Sequence, residues 1–270
     1  MAPLISEIKK LPEKQNILFL TDDKGTIPKA LFSKAELAWI STMKKNSKKE
    51  VFSFNRLDHH VFIRFMKEEQ PEYKRLENCR KAGDSFGSVL DDLKIEDIVI
   101  SDLDGNSAEL LAFTEGLVLG SYRFRKYKTE KEKEPELKRI RIFSTNLKPA
   151  DLDHLSIVTD AVFRCRTLIN EPNSFLTAPV FSREVEKIAK ECNAKVEVFN
   201  KKKIEALQMG GLLGVNKGSL DPPTFTIMEW KPPIKVNKNP YVFVGKGVVF
   251  DSGGMNLKPG DSMSTMKDDM

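Results

Sequence analysis

Cysteine is scarce in this chain of 270 residues, and its three cysteines are poorly placed to pair with one another. Cys79, Cys165 and Cys192 lie far apart and show no Cys-x-x-Cys spacing. This pattern argues against a disulfide framework or a zinc ribbon and is typical of a reducing compartment. Cys165 falls inside a predicted helix, where we expect it to be buried as a small apolar residue rather than to act as a nucleophile.

The chain also lacks a histidine cluster and long apolar runs. Its three histidines are His59, His60 and His154. The adjacent pair falls in a predicted strand, where consecutive side chains point to opposite faces, and none of the three has the spacing of a metal ligand. No apolar run approaches the roughly 20 residues that span a membrane, and the N-terminus shows no signal-peptide pattern. We therefore expect a cytoplasmic protein without a membrane partner.

The excess of positive charge is small. The net charge is +5, from 44 Lys and Arg against 39 Asp and Glu, which is a weak argument for nucleic acid as a partner. The most basic run, residues 122–143, is interrupted by glutamates and is interpreted as a solvated hairpin. Nucleic acid is therefore not the expected partner.

Strand and helix patterns alternate along the chain, which predicts an α/β protein, and the length suggests two domains. A first domain is expected over residues 1–145, a connector helix over 146–172, with Pro149 and Asp151 at its start, and a second α/β unit over 173–270. Strands are predicted near residues 16–20, 51–55, 59–66, 97–102, 137–144, 195–200, 224–230 and 241–247. Helices are predicted near residues 28–45, 71–94, 107–122, 182–192 and 201–209.

The chemistry is concentrated in residues 244–270, which read VGKGVVFDSGGMNLKPGDSMSTMKDDM. Lys246 is expected at the carboxyl end of a buried strand, where open α/β sheets bind their ligands. Asp251 precedes a Ser-Gly-Gly turn, Lys258 precedes Pro-Gly, and Asp269 lies near the end. Convergent carboxylates suit Mg, Mn or Zn, and a lysine among them can act as a general base, an electrophile or, when neutral, a nitrogen ligand. A solvated glycine-rich loop explains any isolated pair of these residues but not the whole ordered set.

This stretch resembles the signature of the leucyl aminopeptidase (cytosol aminopeptidase) family, which runs through Val-Gly-Lys-Gly, Phe-Asp-Ser-Gly-Gly, a lysine and Met-Lys/Arg-x-Asp-Met. Residues 112–128, 166–181 and 209–230 also resemble segments of that family, whereas residues 1–111 match it only in their α/β pattern. The resemblance implies an N-terminal macro-like domain with a mixed sheet, a connector helix, and the first part of a C-terminal α/β zinc-peptidase-like catalytic domain.

The resemblance also implies a function. The family consists of two-metal exopeptidases that release N-terminal residues from peptides, leucine among those preferred. Carried over position by position, Lys246 and Asp269 ligate the tighter metal and Asp251 bridges both metals. The two divalent ions, Mn, Zn or Mg, activate a water and polarise the scissile carbonyl. Lys258 stabilises the oxyanion, and Met266 lines the pocket for the first side chain of the substrate.

One part of the family pattern has no counterpart in these residues. The remaining metal ligands of the family come from a later Asp-x-Glu segment, whose adjacent arginine holds a bicarbonate. We therefore expect the 270-residue chain to be an incomplete, inactive portion of an aminopeptidase, with bicarbonate bound only in the complete protein. Family members assemble as homohexamers, and this expectation applies to the complete protein only.

Two alternatives come from the first domain. Residues 98–106, IVISDLDGN, resemble the motif of haloacid-dehalogenase-type phosphatases, in which Asp102 is the nucleophile and Asp104 the acid/base. Asn106 replaces the usual Thr or Val and no partner segment is evident, so a strand leading into an Asx-type turn is the better interpretation. The second alternative is a non-catalytic module that binds a nucleotide or ADP-ribose through the macro-like domain, although no glycine-rich phosphate cradle precedes Thr145.

Overall fold

The computed structural model of the protein describes residues 2–22, 27–46, 50–67, 69–129 and 137–268. The chain divides into two compact units, Met1–Arg164 and Cys165–Met270. In the described ranges, none of the helices combines the length and apolar character needed to cross a membrane.

The first unit is built on a six-stranded mixed sheet with the strand order β1-β6-β5-β2-β4-β3. The strands are β1 (Leu4–Glu7), β2 (Ile17–Asp22), β3 (Val51–Asn55), β4 (His60–Met66), β5 (Asp97–Asp102) and β6 (Arg139–Phe143). All neighbours are parallel except β3, which pairs antiparallel with β4. The mixed sheet predicted from the sequence is therefore present.

Helices cover both faces of this sheet. Along β2, Ile17 and Phe19 belong to one buried cluster and Leu18 and Leu20 to the other, because successive side chains of a strand point to opposite faces. The cluster containing Leu18 includes side chains of two long helices, α2 (Glu72–Asp92) and α3 (Ser107–Gly120). The other cluster includes Ile40 of α1 (Lys34–Asn46), which follows a 3₁₀ turn at Lys29–Leu31. The predicted α/β layering is confirmed.

The α2 and α3 backbones touch directly at glycines. A Cβ atom added to Gly83 would lie 2.0 Å from the carbonyl oxygen of Phe113, and one added to Gly116 would lie 1.9 Å from that of Arg80. A side chain at either position would separate the two helices.

The second unit contains shorter elements. After α4 (Pro149–Asn170), in which the division between the units falls, come α5 (Ala178–Glu191), β7 (Lys195–Phe199), α6 (Lys201–Ala206), α7 (Gly210–Asn216), β8 (Phe225–Glu229), α8 (Gly260–Met263) and a 3₁₀ turn at Met266–Asp268. β7 and β8 form an antiparallel pair. The buried Ser182 hydroxyl of α5 lies 3.1 Å from Thr226 Oγ1 of β8 and thereby links the helix to the pair.

The prediction of a buried strand over residues 241–247 is wrong. This segment forms no strand, and Tyr241, Val242, Phe243 and Val244 are between 79% and 93% exposed. A buried strand needs neighbouring strands for its backbone hydrogen bonds. In the described part of the second unit, β7 and β8 pair only with each other, so these apolar residues remain exposed.

Three smaller expectations also differ from the structure. In the hairpin predicted over residues 122–143, residues 122–129 form no strand, residues 130–136 lie outside the described ranges, and Arg139–Phe143 form strand β6. Cys165 is exposed rather than buried. Helix α7 forms in a glycine-rich stretch for which no element was predicted.

Candidate active site

The loop that follows Asp251 is shaped by its two glycines. Gly253 and Gly254 have φ angles of +87° and +70°, in the region that favours glycine. A Cβ atom on Gly253 would lie 2.4 Å from the carbonyl oxygen of Asn256. The Gly253 amide donates to Asp251 Oδ1 over 2.9 Å, an Asx-type turn that fixes the carboxylate. The Lys258 amide donates to the Ser252 carbonyl over 3.0 Å and closes the loop.

The loop is also attached to later and earlier parts of the second unit. The Asp251 amide lies 3.3 Å from the Met266 carbonyl oxygen, to which it donates. Lys267, in the same 3₁₀ turn as Met266, donates from Nζ to the carbonyl oxygen of Asn170 over 3.2 Å. The first contact joins residues 15 positions apart, and the second, made by a side chain, joins residues 97 positions apart.

The side chains of four predicted site residues meet around the Asp251 carboxylate. Its Oδ2 atom lies 2.9 Å from Lys246 Nζ and 3.3 Å from Lys258 Nζ. Lys258 Nζ also donates to Met266 Sδ over 2.7 Å. Asp269, the fifth predicted site residue, lies outside the described residues.

The site formed by these four side chains is partly open to solvent, and it contains more positively than negatively charged groups. The side chains of Asp251 and Lys258 are each 29% exposed, and that of Lys246 is 48% exposed. Two ammonium groups share one carboxylate, so the arrangement favours a further anionic group nearby.

Lys246 and Asp251 fit a divalent metal in donor type but are too few to hold one alone. A carboxylate oxygen and a deprotonated amine nitrogen are both metal donors. Catalytic zinc usually takes three protein ligands, and the part of the chain that the structure describes contains no group of three His, Cys, Asp or Glu side chains able to hold a metal. The two residues therefore fit as members of a larger ligand set.

The first unit has a separate carboxylate cluster at the ends of β2 and β5. Asp104 accepts hydrogen bonds from the Asp22 amide, over 2.5 Å, and from the Thr21 hydroxyl, over 3.4 Å. Asp102 accepts from the Ser144 hydroxyl over 3.1 Å through Oδ2, while its Oδ1 atom is buried and, among described residues, has no hydrogen-bond partner. Burial raises the pKa of Asp102, and the nearby charge of Asp104 raises it further. The Oδ1 atom is closed to a substrate and Oδ2 is engaged by Ser144, so this arrangement does not favour the phosphatase alternative.

Sequence profiles divide this chain in the same way as the fold does. The profile of the cytosol aminopeptidase family, catalytic domain, matches residues 163–270. The profile of the N-terminal domain of that family matches residues 70–131. Together the two matches cover more than half of the chain.

Individual relatives carry the same family name. A probable cytosol aminopeptidase of Chlorobium limicola is 38% identical over 221 residues, which are 74% of this chain and 44% of that protein. One of Brucella suis is 42% identical over 161 residues, which are 57% of this chain and 32% of that protein. The chain thus spans less than half the length of these relatives.

Solved structures show the same fold. A mutant of tomato leucine aminopeptidase superposes with a TM-score of 0.69 at 19% identity, over 87% of this chain and 52% of that one. The bottromycin maturation enzyme BotP, in complex with Mn, gives a TM-score of 0.71 at 20% identity, over 94% of this chain and 53% of that one.

Proposed function

Because the chain belongs to the cytosol aminopeptidase family, we propose that it supplies the first part of the active site of a metal-dependent aminopeptidase. The enzyme releases N-terminal residues from peptides, with leucine among those preferred. The observation that carries the proposal is the convergence of Lys246 and Lys258 on one oxygen of Asp251, in the segment that matches the catalytic domain.

Two divalent ions, Mn, Zn or Mg, are the proposed cofactors. Lys246 and Asp269 would hold one ion, and Asp251 would bridge to the second. The donor types of Lys246 and Asp251 support this assignment, and one structural neighbour is a complex with Mn. When bound, such ions act as Lewis acids and activate water.

The other two side chains have roles of their own. Lys258 donates a hydrogen bond to the scissile carbonyl oxygen as negative charge develops on it, which lowers the barrier most when the donor is already in position. Its contact with Met266 Sδ holds the ammonium group in place. Met266 contributes an adaptable apolar surface to the pocket for the first side chain of the substrate.

The complete enzyme has more parts than this chain provides. Lys246, Asp251 and Asp269 are too few donors for two metal ions, so the 270-residue chain alone is expected to be inactive. For the complete protein we propose a cytoplasmic homohexamer that binds bicarbonate beside the metals and acts on peptides.

The test is hydrolysis of leucine p-nitroanilide with added Mn²⁺, before and after a chelator, by two proteins. One is the 270-residue chain, and the other is the product of its gene read to the stop codon, here called the full-length product. Chelator-sensitive turnover by the full-length product alone is the expected result. Turnover by the 270-residue chain would contradict its inactivity, and turnover by neither would contradict the aminopeptidase proposal.

A matched pair of variants tests the metal ligand. Asp251→Asn in the full-length product should abolish Mn²⁺-dependent turnover and weaken Mn²⁺ binding measured by calorimetry. Asp261→Asn removes an exposed carboxylate from the neighbouring helix α8 and should change neither quantity. Equal Mn²⁺ affinity in the two variants would remove Asp251 from the ligand set.

A further inference from the structure

Lys267 lies in the 3₁₀ turn Met266–Asp268, directly after the proposed pocket residue Met266 and two positions before Asp269. Its Nζ atom donates to the carbonyl oxygen of Asn170, which is 97 positions earlier in the chain, over 3.2 Å. Lys267 and Asn170 are both half-buried, so the bond is partly shielded from water. The side chain therefore ties this turn to the end of helix α4.

The end of α4 provides an acceptor that suits a charged donor. Asn170 is the last residue of α4, and the final four carbonyl groups of a helix have no amide partner within it. The carbonyls of Thr167 and Leu168 accept from the Glu171 amide, over 3.1 and 3.2 Å. The Asn170 carbonyl accepts from the Lys267 ammonium group, whose charge also complements the negative end of the helix dipole.

The turn that Lys267 anchors makes two contacts with the loop that carries the candidate site. The Met266 carbonyl accepts from the Asp251 amide over 3.3 Å, and Met266 Sδ accepts from Lys258 Nζ over 2.7 Å. Both contacts come from the residue next to Lys267, so a shift of the Lys267 backbone would move both. A displacement of about 1 Å in an active site can lower the rate by about 10²-fold.

We propose that Lys267 is a positioning residue. Its bond to the Asn170 carbonyl holds the Met266 turn against the loop of Asp251, and thereby places Lys258 and shapes the pocket for the first side chain of the substrate. The inference rests on the proposed function, in which Met266 lines that pocket. Lys267 acts through Met266 and contacts neither substrate nor metal in this role.

Hydrogen exchange in the 270-residue chain, followed by NMR, tests the anchoring without any catalysis. Lys267→Met keeps a long side chain but removes the charged donor. The Asp251 amide should then exchange about tenfold faster, because its acceptor is the Met266 carbonyl, while the amides of β7 and β8 should keep their rates. Lys267→Arg should restore protection. Lys235→Met, which changes an exposed lysine of the same unit, is the control and should leave Asp251 unchanged.

The substrate preference of the full-length product tests the consequence for the site. The ratio of kcat/KM for leucine p-nitroanilide to that for alanine p-nitroanilide should fall by about threefold or more in Lys267→Met, because a displaced Met266 fits the larger side chain less well. The ratio does not depend on the fraction of enzyme that is folded, so a variant that is merely destabilised would leave it unchanged. Lys267→Arg should recover the ratio, and Lys235→Met should keep it.

The outcomes separate this inference from the proposed function. Unchanged exchange of the Asp251 amide in Lys267→Met would overturn the anchoring. If the full-length product hydrolyses both anilides and Lys267→Met keeps the original ratio, the positioning role is overturned and the aminopeptidase proposal stands. If the full-length product hydrolyses neither anilide, the proposed function fails, and the exchange measurement alone decides whether Lys267 holds the loop.

Discussion

Lys258 is held at three points: its amide donates to Ser252, and its Nζ atom contacts both Asp251 and Met266. A donor fixed in this way needs little rearrangement to stabilise a developing oxyanion. Lys258→Ala in the full-length product should therefore lower kcat by about 10²–10³-fold with a small change in KM. Steady-state kinetics on leucine p-nitroanilide measure both constants.

Two further variants make that result specific. Lys258→Arg should recover part of the lost kcat, because it restores a positively charged donor. Lys235→Ala removes an exposed lysine outside the site and should leave the kinetics unchanged. If Lys258→Ala raised KM at constant kcat, the residue would bind substrate without stabilising the transition state.

Asp102 predicts a pH dependence in the first unit. Burial and the neighbouring Asp104 raise its pKa, so the folded state binds this proton more tightly than the unfolded state does. Its contribution to stability is fully present below the unfolded pKa and is lost as pH rises through the folded pKa. Asp102→Asn should therefore increase the free energy of unfolding at pH 7 and increase it less in acid.

Urea unfolding of the original protein and of Asp102→Asn, at pH 7 and at an acidic pH, measures this difference in the free energy of unfolding. Asp160→Asn changes an exposed carboxyl on α4 and serves as the control, with a small effect that is the same at both pH values. A loss of stability at neutral pH in Asp102→Asn would show that its ionised form is favourably paired.

The three cysteines should differ sharply in reactivity. Cys79 is 1% exposed and its thiol has a pKa near 12, whereas Cys165 and Cys192 are exposed. Because the thiolate is the reactive form, a disulfide reagent at about pH 8 should modify two thiols of the native protein quickly and the third only after unfolding. Rapid modification of all three would contradict the burial of Cys79.

The sequence located the candidate site better than it located the buried polar groups. Lys246, Asp251 and Lys258 could be grouped because their ordered pattern resembles a family signature, and the structure brings their side chains together, while their roles stay predictions. The buried atoms Arg64 Nε and Asp102 Oδ1, which lack a hydrogen-bond partner among the described residues, could not be predicted. Their surroundings depend on which side chains the other strands and helices bring beside them.

Among the secondary-structure elements, prediction succeeded where a segment has neighbours to pack against. β5 and α3 formed as expected because buried clusters take up their apolar side chains. The apolar residues 241–247 have the composition of a strand but no strand partner in the described chain, and they stay open. β1 was not predicted because it has four residues and no fully buried side chain, and its place depends on pairing with β6.

The contact of α2 with α3 gives a prediction at the same scale. Gly83→Ala and Gly116→Ala should each destabilise the protein by about 1–3 kcal/mol or more, because the added methyl overlaps backbone atoms of the other helix. Gly87→Ala is the matched control on α2: its methyl would meet only a Leu117 side-chain carbon at 3.6 Å. That change should stabilise by about 0.5–1 kcal/mol through helix propensity. Equal effects of the three variants on thermal unfolding would contradict direct backbone contact.

Across the whole molecule, the buried apolar side chains are distributed very unevenly between the two units. In the described ranges all but three belong to the first unit, and the three in the second are Leu176, Ala189 and Ile204. The second unit also leaves Phe243 and Val244 each 93% exposed. Since burial of apolar surface is the main favourable term in folding, the second unit should be far less stable than the first.

This imbalance predicts two unfolding transitions in urea rather than one. At a urea concentration between them, the backbone amides of β7 and β8 should exchange hydrogen freely while those of β2 and β5 stay protected, because separate cores open separately. Hydrogen exchange followed by mass spectrometry resolves these segments. Arg64→Gln provides the control. This residue lies in the first unit, so the change should shift only the transition at higher urea concentration, in which the first unit unfolds. Loss of protection in all four strands at one urea concentration would mean that the two units unfold cooperatively, and that the second derives its stability from more than its own core.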